Sequence, residues 1–269
     1  LTIYKSLPII SVLVFLAFLM GFSAQAQLPS NNVTQGVEMM PVNVVLVHGA
    51  WADGSSWSNV IPLLQEKGYN VTAVQIPLTS LADDAAVTRR VLAMQNGSTI
   101  LVGHSYGGAV ITEAGANASN VVGLVYISAF APDSGEVLGE LNGRMPAAPG
   151  QANFRPDAYG FLWIDPKAFP ESFAQDVDPA AARVMAAVQK PLSASIFGEK
   201  VTQAAWRSLP SWYLVSENDR IINPDLERFM AERIGARKVV SIPSDHASLV
   251  SHPDEVAQLI MDAANATAT

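Results

Sequence analysis

An apolar, β-like run, Thr99-Ile100-Leu101-Val102, passes through Gly103-His104-Ser105-Tyr106-Gly107-Gly108 into a small-residue stretch, Ala109 to Ala114, that can continue as a helix. No other feature constrains the fold as strongly. A strand that turns sharply into a helix leaves no room for a Cβ two residues before or after the serine. Gly103 and Gly107 therefore let the backbone hold Ser105 in a strained turn with its hydroxyl exposed. A strand before this Gly-x-Ser-x-Gly elbow and a helix after it point to a nucleophilic serine.

A serine hydroxyl is a weak nucleophile until a base takes its proton and a carboxylate orients that base. Both partners are expected later in the chain, in the order Ser, acid, His. Of the four histidines, His48 and His104 sit beside tight glycine or serine turns and are expected to shape them. His246 follows the run Lys238 to Ile242 by the short loop Pro243-Ser244-Asp245, from which it can swing over the carboxyl edge of a sheet; it is the candidate base. His252, in Ser251-His252-Pro253 at a helix start, is the alternative. The acid is expected to leave the preceding strand, Trp212 to Ser216, in the same way. Asp219 is the candidate and Glu217 its rival. Asp225 suits the first turn of a helix opened by Asn223-Pro224, and Asp245 suits a turn beside the histidine.

Acyl transfer also needs two backbone N–H groups aimed at the developing oxyanion. One comes from the residue after the nucleophile, Tyr106, and the other from the loop after the first strand, His48-Gly49-Ala50-Trp51-Ala52-Asp53-Gly54, where Ala50 is the candidate. Trp51 is placed to wall the pocket. No His-Glu-x-x-His, Gly-x-x-x-x-Gly-Lys-Ser/Thr or Gly-x-Gly-x-x-Gly context occurs, so no metal site and no cofactor is expected.

From residue 41 onward, short β-branched runs alternate with helical stretches: Val42–Val47, Val71–Ile76, Thr99–Val102, Val121–Ser128, Trp212–Ser216 and Lys238–Ile242. Such runs fit strands covered on both faces, so the expected fold class is α/β, a doubly wound and mostly parallel sheet. The rhythm breaks from about 132 to 209, a stretch rich in Pro, Ala and aromatics. It is expected to be an inserted helical cap over the pocket, with Phe161 and Trp163 as lining candidates. The core is thus assigned to 41–131 and 210–269. With 269 residues and 49% hydrophobic content, one large core is within reach. A net charge of −8 argues against nucleic acid or an anionic membrane as a partner, and the absence of cysteine removes thiol chemistry and disulfides.

Residues 1–26 read as a signal peptide: Lys5, an apolar run from Leu7 to Phe22, then the small-x-small site Ala24-Gln25-Ala26. The apolar run is about 16 residues, short of the roughly 20 that span a bilayer. Cleavage before Gln27 and export to a periplasm or medium are expected, with no stable membrane partner afterwards. Residues 27–40 read as a linker.

On Val-Leu-Val-His-Gly-Ala at 45–50, Trp57 through Pro62-Leu63-Leu64, Gly-His-Ser-Tyr-Gly-Gly at 103–108, Asp219 and Asp245-His246, the chain resembles the α/β-hydrolase superfamily. Within it, the similarity is to the branch of methyl-salicylate-type esterases and hydroxynitrile lyases. The resemblance implies a Ser105–Asp219–His246 triad, an acyl-enzyme intermediate and a small-molecule ester substrate. Lyases of that branch carry Thr and Lys where this chain has Gly49 and Ala247, which favours ester hydrolysis over cyanide elimination. Lactone, amide or carbon–carbon bond hydrolysis on the same triad stays open, as does a non-catalytic ligand-binding role.

Overall fold

β1 (Asn43–Val47) is buried along its whole length, and its side chains alternate between two cores. Val45 and Val47 point into one, Val44 and Leu46 into the other, as the two-residue period of a strand requires. This is the computed structural model of the chain, which describes residues 42–268; the expected signal peptide and linker lie outside the described residues.

After β1 a 3-10 turn over Gly54–Trp57, capped by the Asp53 side chain, leads into α1 (Val60–Glu66) and then β2 (Asn70–Val74). Gly68 ends α1 at φ +84°, a conformation that suits glycine. α2 (Leu81–Ala93) begins at Ser80, whose side chain accepts from the Asp83 N–H at 3.0 Å. β3 (Thr99–His104), α3 (Gly107–Ala114) and β4 (Val121–Ile127) follow.

Between β4 and the next strand of the large sheet the chain forms α4 (Leu138–Asn142), β5 (Phe154–Pro156), β6 (Phe161–Ile164), α5 (Phe169–Phe173), α6 (Pro179–Val188) and β7 (Leu192–Ser193). The inserted segment contains helices α4, α5 and α6, and its strands β5, β6 and β7 add a three-stranded antiparallel sheet. The run Phe161-Leu162-Trp163-Ile164 is strand-forming by its aromatic and branched side chains. The turn before it is closed by Asp157, which accepts from the Tyr159 and Phe161 N–H groups.

The chain returns through β8 (Ser211–Ser216), α7 (Pro224–Arg233), β9 (Lys238–Ile242), α8 (Ser248–Ser251) and α9 (Pro253–Thr267). Asn223 caps α7 by accepting from the Asp225 N–H, and Pro224 at the first helical position lacks an N–H that would go unpaired there. The large sheet runs β2-β1-β3-β4-β8-β9 with every pair parallel. Strands β1, β3 and β8 are buried throughout, whereas the edge strands β2 and β9 are partly exposed. One core holds side chains of α2, α3, α7 and the inserted segment; the other holds α1 and α9. The order of strands reverses between β1 and β3. In such sheets a crevice opens at the carboxyl ends on either side of that point, and the loop after β1 and the turn after β3 flank it here.

Candidate active site

The turn after β3 holds Ser105 at φ +54°, in the left-handed region that costs a side-chain-bearing residue energy and persists only where the surroundings enforce it. Its neighbours show what enforces it. A Cβ on Gly103 would lie 2.5 Å from the Gly107 carbonyl oxygen, and one on Gly107 would lie 2.6 Å from both the Val47 and His48 carbonyl oxygens. The elbow is thus wedged between β1 and the start of α3. It is also tied to the next strand, since the Ser105 N–H donates to the Ile127 carbonyl at 3.2 Å and the Phe130 N–H donates to the Ser105 carbonyl at 3.1 Å.

His246 reaches the same point from the loop after β9. Its Nε2 lies 2.8 Å from Ser105 Oγ, and its Nδ1 lies 2.5 Å from Asp219 Oδ2. Asp219 Oδ1 meanwhile accepts from the Ile221 and Ile222 N–H groups at 2.6 and 2.9 Å. The carboxylate is therefore fixed by the backbone that leads into α7. Ser105, His246 and Asp219 are all buried.

The other sequence candidates fall elsewhere. Glu217 is exposed beside Arg228, and Asp225 bonds the same arginine on the surface. His252 bonds Ser251 Oγ at 2.9 Å, away from Ser105. His48 and His104 do shape the loops: His48 Nε2 accepts from the Ile76 N–H at 3.1 Å, and His104 Nε2 donates to the His246 carbonyl at 2.8 Å. Burial pushes the His48 imidazole down to about 4 and the His104 imidazole well below its ordinary range, so both are neutral. His104 thereby holds the histidine loop without adding charge beside it.

Ala50 and Tyr106 both line the cavity that contains Ser105, and no described backbone group accepts from the N–H of either. The Tyr106 hydroxyl donates to Asp84 Oδ2 at 2.6 Å. Asp84 in turn accepts from the Leu78 N–H at 2.8 Å. This tether was not legible as such in the sequence, where Asp84 reads as a first-turn helix acid.

The cavity beside Ser105 has a volume of about 30 Å³ and is walled by apolar side chains, among them Leu138, Phe154, Leu192 and Phe197 of the inserted segment. Trp51 is among its lining residues. Its ring centroid lies 4.7 Å from that of Phe154 with the planes tilted at 42°, its indole N–H donates to the Leu162 carbonyl at 2.9 Å, and its backbone sits at φ +57°. Phe161 and Trp163 do not line this cavity, which corrects the expectation for both. They occupy i and i+2 of β6 and so share a face of that strand. The Trp163 indole N–H bonds Asp157 Oδ2 at 3.0 Å, back across the hairpin. A second cavity, of about 380 Å³, opens on the far side of Trp51 between α6 and the loop after β1, with Phe173 and Val188 in its wall.

Residues 44–259 match the model of the alpha/beta hydrolase family. A pyrethroid hydrolase from Sphingobium wenxiniae is 28% identical over 255 residues, covering 86% of this chain and 90% of that protein. Salicylic acid-binding protein 2 from Nicotiana tabacum is 26% identical over 262 residues, covering 82% and 96%. The crystal structure of a pyrethroid hydrolase from Sphingobium faniae superimposes with a TM-score of 0.72 at 24% identity, covering 84% of this chain and 98% of that one. With a parallel six-stranded sheet, a strained serine elbow at the end of β3 and a family match over most of its length, the chain belongs to the alpha/beta hydrolase family.

Proposed function

We propose that the chain is a serine hydrolase that cleaves small to medium carboxylic esters. Ser105 Oγ attacks the ester carbonyl carbon as its proton passes to His246 Nε2. The Asp219 carboxylate holds His246 in the tautomer that carries its proton on Nδ1, and stabilises the imidazolium that forms. The oxyanion accepts from the Ala50 and Tyr106 N–H groups. Collapse breaks the bond to the alcohol oxygen, which takes the proton from His246 Nε2. Water then attacks the acyl-Ser105 ester with His246 again as base, releasing the acid.

The observation that carries this proposal is the unbroken series of contacts from Ser105 Oγ to His246 at 2.8 Å and from His246 to Asp219 at 2.5 Å. An apolar cavity wall suits an uncharged acyl group, and the naming of similar proteins as hydrolases and esterases agrees in kind. Cyanide elimination is disfavoured by the space at Gly49, where a Cβ would lie 2.7 Å from Ser105 Cβ, so a threonine there would displace the serine. Export by residues 1–26, with cleavage before Gln27, is part of the proposal; intact-mass analysis of the exported protein is its test.

The test is a panel of p-nitrophenyl esters of increasing acyl length. The wild type is expected to turn over the short and medium members, and Ser105→Ala to lose nearly all of that activity while remaining folded. A fluorophosphonate probe should add one adduct, at Ser105. Turnover in Ser105→Ala equal to that of the wild type would overturn the proposal.

A further inference from the structure

Behind Asp219 lies a second carboxyl group that the proposed mechanism does not use. Glu227, in the first turns of α7, is fully buried. Its Oε2 accepts from the Ser216 N–H at 3.1 Å, and its Oε1 has no N–H or O–H donor to accept from. The Glu227 carboxyl lies within hydrogen-bonding reach of the Asp219 carboxyl.

Two carboxyl groups this close and this deeply buried do not both ionise, because each anion raises the cost of the other and water is absent to screen them. The donor sets decide which one keeps the proton. Asp219 receives two backbone N–H bonds and the His246 Nδ1–H, three donors that favour its anion. Glu227 receives one. Besides the Ser216 N–H, only the Arg228 charge favours the Glu227 anion, and its influence is the smallest. Tyr213 on β8 gives its hydroxyl hydrogen to the Ala129 carbonyl, and Arg228, the neighbour on α7, is directed at the exposed Asp225 and Glu217. Burial first, and the Asp219 charge second, push the Glu227 carboxyl well above the usual carboxylate range. An orphaned buried oxygen then has a plain explanation: it carries the hydrogen.

We propose that Glu227 is a neutral positioning residue that donates its carboxyl hydrogen to Asp219 and so fixes the carboxylate behind His246. The inference rests on the assignment of Asp219 as the acid of the triad. Glu227 touches neither substrate nor serine, so its effect passes through Asp219. Neutrality matters as much as the bond, since a second anion at this point would alter the electrostatic field on His246 and push Asp219 away.

The test compares kcat/KM against pH for the full-length wild type, Glu227→Gln, Glu227→Leu and Asp219→Asn on one short p-nitrophenyl ester. A glutamine amide can give an N–H to Asp219 and accept from Ser216, so Glu227→Gln is expected to stay within about threefold of the wild type at neutral pH, and to resist the alkaline loss that ionisation of Glu227 imposes on the wild type. Glu227→Leu leaves Asp219 one donor short and is expected to lose on the order of tenfold in kcat with little change in KM. A large loss in Glu227→Gln at every pH would mean that the charge is required. That result, or wild-type kcat in Glu227→Leu, would overturn the inference. If Glu227→Leu does not fold, the comparison of wild type with Glu227→Gln still decides through the alkaline limb. Full activity in Asp219→Asn would instead sink the triad assignment on which the inference stands, so the two failures are distinguishable.

Discussion

Asp176 in the inserted segment and Asp245 in the histidine loop hold each other's backbone. The Asp176 N–H donates to Asp245 Oδ2 at 3.0 Å, and the Asp245 N–H donates to Asp176 Oδ2 at 2.7 Å. Ser251 Oγ adds a third bond, to Asp245 Oδ1 at 2.8 Å. The residue preceding His246 is therefore latched to the inserted segment on one side and to α8 on the other. The position of the imidazole depends on a segment that supplies none of the triad.

Asp176→Ala should expose this dependence. It leaves the Asp245 N–H without its acceptor in a buried site, a loss of about 1–3 kcal/mol by mutational precedent. Thermal melting should show the destabilisation, and kcat should fall by more than KM rises. An Asp176→Ala protein with wild-type kcat would mean that the latch holds the fold but not the histidine.

Asp219→Asn keeps the shape of the site and removes the charge that selects the working tautomer of His246. The expected loss is on the order of 10⁴ in kcat, the scale seen when a triad carboxylate becomes an amide in a serine protease. Glu217→Gln should be almost silent, because Glu217 lies on the surface beside Arg228. Steady-state kinetics of the two variants decide between the two acids; the reverse pattern would reassign the role.

Stability should change with pH through two opposing buried groups. Burial raises the Asp84 carboxyl to about 6, against the pull of the Tyr106 hydroxyl and the Leu78 N–H. The folded state then binds more protons than the unfolded chain between roughly pH 4 and 6, and stability falls as pH rises through that window. His48, lowered from 6.5 to about 4, binds fewer protons when folded, and its contribution rises with pH over nearly the same range. The two largely cancel in the wild type. Asp84→Asn removes one of them, so its stability relative to the wild type should increase between pH 4 and 6 in denaturant titrations. A difference that stays constant with pH would show that Asp84 does not titrate there.

Acyl preference should respond to the side chains that wall the Ser105 cavity and not to those across the β6 hairpin. Phe154→Ala removes the ring packed against Trp51 and should shift kcat/KM toward longer acyl esters; one methylene in an apolar pocket is worth about 1–3 kcal/mol. Trp163→Ala should lower thermal stability without changing the ratio of long to short esters. A shift in Trp163→Ala and none in Phe154→Ala would place the acyl pocket elsewhere.

The doubly wound core was legible because its signals are local and repeated. Six β-branched runs, the glycines around Ser105 and the Asn223-Pro224 helix start each state a backbone geometry on their own. The proposed histidine and acid stand in the expected chain order, each just past a strand end. The cavity wall was not. Leu138, Phe154, Leu192 and Phe197 come from separate short segments that share no period, and they converge only through tertiary packing. The aromatic character of Phe161 and Trp163 does not say toward which side of a short strand a ring points. Glu227 did leave a signal: Leu226, Met230 and Ala231 are buried at helical spacing, and Glu227 stands among them where that stripe calls for an apolar residue.

The separation of the reacting groups along the chain has a consequence for the birth of the protein. Ser105 and His246 are 141 residues apart, and the loop bearing His246 follows β9, an edge strand paired with β8. The elbow can be complete while the base is still absent. With His246 as the proposed base, hydrolysis is expected to begin only when β9 has docked, late in any order of assembly that builds the sheet outward from β3. Enzyme activity regained after dilution from denaturant becomes a clock for that final docking step, distinct from the earlier return of helical signal.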